Sequence, residues 1–309
     1  MAAGGEPFFA LVGPTASGKT EAAISLAERL GAEIVSVDSM LVYRGMDVGT
    51  AKPTVAQRAR VPHHLIDVAE PSEPFSVARY QALARDAVAR IRSRRRRVLL
   101  AGGTVLYYRA VVDDLSFPAT DPILRGELER EAERVGARTM YERLAVSDPV
   151  AASKIEEGNV RRTIRVLEVA ELTGLPFSSF ASEWERYAPE RVRAAGVEVP
   201  RDLLWKRIDA RVTGQLENGV LDEVRALIDR GFGGWLTSSS QAIGYAEFAQ
   251  HVTGGITLDD AVAAIVKRTK GLARRQRAFL RRDPRIRWFE AGADGAAALV
   301  DDIAEYLDG

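Results

Sequence analysis

Gly13-Pro14-Thr15-Ala16-Ser17-Gly18-Lys19-Thr20 satisfies the pattern G-x-x-x-x-G-K-[ST] and directly follows the apolar run Phe8-Phe9-Ala10-Leu11-Val12. Residues of these types at this spacing do phosphate chemistry. The glycines let backbone N–H groups converge on phosphate oxygens, and a helix starting at Lys19 adds partial positive charge. Lys19 reaches the distal phosphate, and the Thr20 hydroxyl can ligate Mg²⁺. Such a loop alone does not separate ATP hydrolysis, phosphoryl transfer and chemistry on another diphosphate. In the usual NTPase a strand ending in an acidic residue helps to hold the metal. Here the corresponding run, Val98-Leu99-Leu100-Ala101, leads instead into Gly102-Gly103-Thr104. That leaves Asp38, one position past the run Glu33-Ile34-Val35-Ser36-Val37, as the carboxylate placed to face the loop. It could serve as a general base or hydrogen-bond acceptor, or as an N-cap or turn aspartate.

The elements that must position these residues are legible in the apolar pattern. Short apolar runs bounded by turns read as strands buried on both faces of a parallel sheet, here 8–12, 33–37 and 98–101. Lys19 to Leu30 reads as a helix. Ser76 to Ile91 reads as another, with Val77, Tyr80, Ala84, Ala87, Val88 and Ile91 on one stripe and Ser76 suited to cap it. Three strand–turn–helix units predict an α/β fold, a P-loop NTPase-like parallel sheet flanked by helices, whose active site lies at the carboxyl ends of the strands. Asp121-Pro122 resembles an N-cap with proline at the first helical position, and helical patterns dominate from there to about Thr173. Val192 to Val199 could return to the sheet. Pro200 then opens a helix carrying Leu204, Ile208 and Val212, and helical stretches near 213–230, 241–252 and 257–281 finish the chain. The expected organisation is a catalytic core of residues 1–116 and 200–309 interrupted by a helical insertion domain at 117–199.

Of the 309 residues, 46% are apolar and 28% charged, with 43 basic side chains balancing 43 acidic ones. This excludes disordered and collagen-like classes. Cysteine is absent, which removes disulfides and thiolate zinc sites. Adjacent His63 and His64 on an extended segment point to opposite sides and do not form a metal pair. Met1 to Pro7 lacks a secretory pattern, and no apolar run approaches the ~20 residues a bilayer requires, so a cytoplasmic protein without membrane contact is expected. The charge is unevenly spread. Between Lys267 and Arg287 lie ten basic residues and one acidic one, Asp283, which is the footprint of polyanion binding or a solvated helix face. Arg161, Arg162 and Arg165 share one side of a helix, within ~100° of one another, and could clamp an RNA backbone or simply face solvent. Arg211, four residues after Arg207, shares a helix face with it. Trp184, Trp205, Trp235 and Trp288 suit packing and base stacking equally well.

Gly13–Thr20, the long segment Asp38-Ser39-Met40-Leu41-Val42-Tyr43-Arg44-Gly45-Met46-Asp47-Val48-Gly49-Thr50-Ala51-Lys52-Pro53 and Val61-Pro62-His63-His64-Leu65-Ile66-Asp67 resemble the signature segments of the bacterial-type tRNA dimethylallyltransferase family. Gly102-Gly103-Thr104, Arg161 to Glu168, Thr173 to Ser178, Gln241 to Tyr245 and Ala273-Arg274-Arg275-Gln276 follow in the family's order. The resemblance implies transfer of a dimethylallyl group from dimethylallyl diphosphate to the exocyclic amine of the adenosine 3′-adjacent to the anticodon in tRNA, with Mg²⁺ and release of diphosphate. It implies that Asp38 engages the adenine amine and can accept its proton, that Thr104 works near the reacting centre, and that Arg211 reaches the diphosphate. Gly13, Pro14, Thr15, Ala16, Ser17, Gly18, Lys19 and Thr20 would hold the donor diphosphate or a nucleotide such as ATP, with Thr20 on the metal. Asp38, Ser39, Met40, Leu41, Arg161, Arg162, Arg165, Arg274, Arg275 and Gln276 would contact the tRNA. The partners implied are the anticodon loop of tRNA and the prenyl donor, and a monomer is expected. The target base must be turned out of the loop to reach a buried electrophile. Two features depart from the family pattern: Val105 stands where a small residue is common, and Lys270-Gly271-Leu272 and Arg277-Ala278-Phe279 are less aromatic than expected. The rival readings are a P-loop small-molecule or nucleotide kinase and a non-catalytic RNA-binding regulator.

Overall fold

A computed structural model describes residues 6–180, 184, 186–234, 237–293 and 295–309. The chain forms two compact units, one of residues up to Asp114 together with Tyr187–Gly309, the other of Leu115–Arg186. The larger unit begins with β1 (Phe8–Val12), α1 (Lys19–Leu30), β2 (Ala32–Val37), α2 (Val55–Arg60), β3 (His63–His64), α3 (Val77–Ser93), β4 (Arg97–Gly102) and α4 (Val105–Val112). The smaller unit holds α5 (Pro122–Val135), α6 (Ala137–Ser147), α7 (Pro149–Ala152) and α8 (Val160–Thr173). The larger unit resumes with β5 (Val192–Glu198), α9 (Arg201–Glu217), α10 (Val220–Asp229), α11 (Tyr245–Val252), α12 (Leu258–Leu280), β6 (Ile286–Glu290) and α13 (Val300–Asp308).

Six parallel strands form one sheet in the order β3-β2-β4-β1-β5-β6. Its central strands have no polar face because helices cover both sides, which is why they read as unbroken apolar runs. Leu99 and Leu100 are fully buried on opposite faces, in separate hydrophobic clusters. Burying each contributes ~1.5–3 kcal/mol. The register pairs Val12 with Gly102 and Val37 with Gly102. Three strands therefore end level, and the residues that follow them (Gly13, Asp38 and Gly103) emerge at one edge of the sheet.

Ser76 caps α3 by accepting the Arg79 N–H at 3.1 Å. In the smaller unit Asp121 caps α5, accepting the Ile123 N–H at 2.8 Å with Pro122 at the first position. That unit has its own core, built around Leu128, Met140, Leu144, Ile164 and Leu167.

Several sequence-derived boundaries shift. Residues 187–199 lie in the larger unit rather than in the helical insertion, because β5 pairs with β1 along its length. The helix opened by Pro200 continues to Glu217 and breaks at Asn218-Gly219, where Gly219 takes φ 82°. The final strand β6 and helix α13 go beyond what the sequence pattern predicts. At the sheet edge β6 is only partly buried, and its apolar residues sit inside a basic run that obscures strand alternation. No helix among the described residues is long and apolar enough to cross a membrane.

Candidate active site

The phosphate loop leaves β1 and turns into α1 through Gly18, whose φ of 84° is a conformation that side chains disfavour. Ala16 also has positive φ, 62°, a local strain of the kind found where backbone is shaped for a ligand. Among the described residues no side chain caps the start of α1. Its first residues line a cleft of about 320 Å³ together with Asp38, Leu41, Thr50 and Arg211, among others. An uncapped helix start on a cleft attracts anions through its unsatisfied N–H groups and its dipole.

Lys19 is half-buried and donates to the Pro14 carbonyl at 2.9 Å. Burial strips its ammonium of water and pulls its pKa down to about 8, with Asp38 opposing that shift and Arg211 adding to it. Arg211, on α9, donates to the Thr15 hydroxyl at 3.1 Å and to the Thr50 carbonyl at 3.0 Å. Burial lowers its pKa as well, against the pull of Asp38. The acidic neighbours in sequence do not claim it, since Asp209 and Asp222 pair with Lys270 and Arg225.

Asp38 sits just beyond β2 and accepts the Met40 N–H on Oδ1 at 2.9 Å. Among the described residues its Oδ2 has no hydrogen-bond partner. Thr104, the N-cap residue of α4, is tied to the end of β2 by donating its N–H to the Val37 carbonyl at 3.0 Å. Its hydroxyl accepts the Ser39 N–H at 3.1 Å. The loop carrying Asp38 and the turn carrying Thr104 are thus joined. Tyr80 and Tyr107 stack with ring centroids 3.8 Å apart, and the Asp38 charge adds to the burial that raises both phenol pKa values. Val105 packs against the core and does not line the cleft.

Gln276, expected to contact tRNA, accepts the Thr15 N–H at 2.9 Å and packs against Gly103. It joins α12 to the phosphate loop. Arg274 and Arg275 are exposed, without ion pairs among the described residues. Much of the basic run around them is engaged internally: Arg268 by Glu247, Lys270 by Asp209, Arg277 and Arg281 by Glu198, and Arg285 by Asp113 and Asp283. On α8, Arg161 and Arg162 are exposed, while Arg165 bonds the Pro118 and Ala119 carbonyls and pairs with buried Glu168. His63 and His64 bond separate partners, the Val61 carbonyl and Glu33, and no cluster of three or more metal-binding side chains occurs among the described residues. Trp205 and Trp288 pack against the two cores and Trp184 lies edge-on to Phe117; Trp235 lies outside the described residues. Unanticipated from sequence are Thr50, which supplies its carbonyl to Arg211, and Arg207, which lines the cleft with Nη1 buried and without a hydrogen-bond partner among the described residues.

A family model described as IPP transferase matches residues 41–283. The chain belongs to the IPP transferase family. Similar members of that family are the tRNA dimethylallyltransferases of Desulforudis audaxviator, 44% identical over 95% of this chain and 96% of its own, and of Roseiflexus sp., 47% identical over 93% and 94%. Among solved structures, the tRNA isopentenylpyrophosphate transferase of Bacillus halodurans superposes with a TM-score of 0.69 at 38% identity, covering 98% of this chain and 97% of its own.

Proposed function

We propose that this chain transfers a dimethylallyl group from dimethylallyl diphosphate to the exocyclic amine of the adenosine 3′-adjacent to the anticodon of tRNA. The observation that carries this reading is the convergence, at one sheet edge, of an anion-binding helix start with Lys19 and Arg211 and a carboxylate–hydroxyl pair, Asp38 and Thr104. The amine nitrogen attacks the first carbon of the allyl group as its bond to the diphosphate oxygen breaks. The diphosphate leaves with the bonding electron pair, and the amine proton passes to Asp38. Lys19, Arg211 and the first N–H groups of α1 stabilise the negative charge that develops on the leaving group. Thr104 keeps the Asp38 loop in register with α4.

The loop suits Mg²⁺. Thr20 is exposed on the cleft, and the Ser17 hydroxyl in the same loop is buried with no hydrogen-bond partner among the described residues. A cation held by one or two protein oxygens and otherwise by phosphate oxygens is the usual arrangement for this metal. Bound there, Mg²⁺ would supply further neutralisation of the diphosphate charge. For RNA contact, Ser39, Met40 and Leu41 follow Asp38 and Arg274 and Arg275 offer exposed charge in the larger unit, while Arg161 and Arg162 offer exposed charge in the smaller one. We infer a cytoplasmic reaction, where a tRNA substrate would be met.

The test is to incubate unmodified tRNA with the enzyme, dimethylallyl diphosphate and Mg²⁺, digest it and weigh the nucleosides, with ATP as a parallel control. An adenosine heavier by one dimethylallyl group, formed without ATP, is expected. ADP release with transfer of the γ-phosphoryl group to a small acceptor, and no such product, would instead identify a kinase.

A further inference from the structure

Asp47-Val48-Gly49-Thr50 runs past the phosphate loop and is gripped by α9, α10 and α11. Glu223, on α10, accepts the N–H groups of Asp47 at 2.7 Å and Val48 at 2.8 Å on Oε2, and that of Gly49 at 3.1 Å on Oε1. The Tyr245 hydroxyl donates to the same Oε1 at 2.6 Å. Gln215 secures the other side of the strap, donating to the Gly49 carbonyl at 2.7 Å and the Val48 carbonyl at 3.3 Å. Packing is equally close, because a Cβ on Gly49 would stand 2.5 Å from the buried Tyr245 ring. No arginine or lysine pairs with Glu223 among the described residues, so its carboxylate serves these four donors. The next carbonyl along the strap, that of Thr50, receives Arg211 Nη2, and Arg211 Nη1 reaches Thr15 in the phosphate loop.

We infer that Glu223 is a positioning residue for the transfer reaction. By fixing the backbone of Asp47–Thr50 it sets the Thr50 carbonyl, and through that carbonyl the guanidinium of Arg211 against the phosphate loop. The inference rests on the proposed role of Arg211 as a ligand of the donor diphosphate. A carboxylate is required because every partner donates: an amide in its place would turn an –NH₂ toward N–H donors. Tyr245 belongs to the same device, since its hydroxyl orients the carboxylate whose other contacts hold the strap.

The test uses the full chain and inorganic diphosphate with Mg²⁺ as the probe, titrated calorimetrically into the unaltered protein, Arg211→Ala, Glu223→Gln, Tyr245→Phe and each of the latter two combined with Arg211→Ala. Because one charged acceptor serving several N–H groups is disrupted, Glu223→Gln is expected to weaken diphosphate binding about tenfold. It should raise the KM for the donor while leaving that for tRNA unchanged. In the Arg211→Ala background the same substitution should change binding by less than about twofold, the signature of a residue acting through another. Tyr245→Phe, which keeps the three backbone hydrogen bonds, is expected to cost about threefold and likewise to lose its effect without Arg211, so the comparison survives if Glu223→Gln does not fold. Additive losses in the double variants, or diphosphate binding unchanged in Glu223→Gln while Arg211→Ala is weakened, would overturn the positioning role and leave the diphosphate site standing. Failure of the unaltered protein to bind diphosphate would remove that site and the role of Glu223 with it.

Discussion

In the proposed reaction the Asp38 carboxylate would have two tasks, since the Met40 N–H holds Oδ1 and Oδ2 would take the amine proton. Asp38→Asn preserves the first task and abolishes the second. Turnover is expected to fall by at least ~10²-fold, the lower range for a lost general base, with tRNA affinity by filter binding nearly unchanged. Parallel loss of both would make Asp38 a binding residue instead. Lys19 carries a different signature. Its pKa, lowered from 10.5 to about 8, means that between those values the unfolded chain holds a proton the folded protein has released. Folding stability contributed by this group therefore rises with pH across that window, and below it the buried charge is a cost. Anion binding runs the other way, because a diphosphate selects the charged form. As pH rises above about 8, diphosphate affinity should fall more steeply for the unaltered protein than for Lys19→Arg, whose charge persists. The difference in slope, measured by titration at several pH values, should reach up to about one decade per pH unit, and parallel slopes would exclude Lys19 as the titrating ligand.

The strands and helices that carry Gly13–Thr20, Asp38 and Thr104 are legible in the sequence because their signals are local: apolar runs, a glycine turn, a capping serine. The rule that parallel strands end at one edge then brings these residues together without further information. The bond of Gln276 to the phosphate loop is not legible, nor is Glu223 as part of the site. Gln276 meets Thr15 across 261 residues of chain, and Glu223 acts on backbone N–H groups that carry no sequence signature. Helical spacing correctly puts Arg161, Arg162 and Arg165 on one side of α8, but it cannot show that Arg165 reaches the chain entering α5. That difference is testable. Arg165→Ala leaves buried Glu168 with Arg125 as its remaining cation and removes the donors from two carbonyls. It should lower stability in urea denaturation by ~1–3 kcal/mol. Arg161→Ala and Arg162→Ala, both exposed, should stay within ~0.5 kcal/mol. Equal stabilities for all three would mean that the Arg165 hydrogen bonds and ion pair contribute nothing.

Across the whole chain, zero net charge conceals a division between arginines that hold the fold and arginines that remain exposed. Ion pairs engage Arg268, Arg277, Arg281 and Arg285, whereas Arg274 and Arg275 on α12 are exposed. Replacing Arg274 and Arg275 with Gln should make tRNA binding less salt-dependent, reducing the log–log slope by ~0.7–0.9 for each phosphate that is no longer neutralised. An unaltered slope would make them bystanders. The order of strands has a further consequence, for the newborn protein. β1 gains one neighbour once β4 has been made, but its other edge waits for β5, on the far side of the whole smaller unit. At ~5–20 residues per second the ribosome needs on the order of 5–20 seconds to make the stretch from Gly103 to Arg191. Throughout that interval a central, wholly apolar strand presents an open edge able to template pairing with another chain. The length of the insertion thus sets how long the nascent core depends on shielding by chaperones.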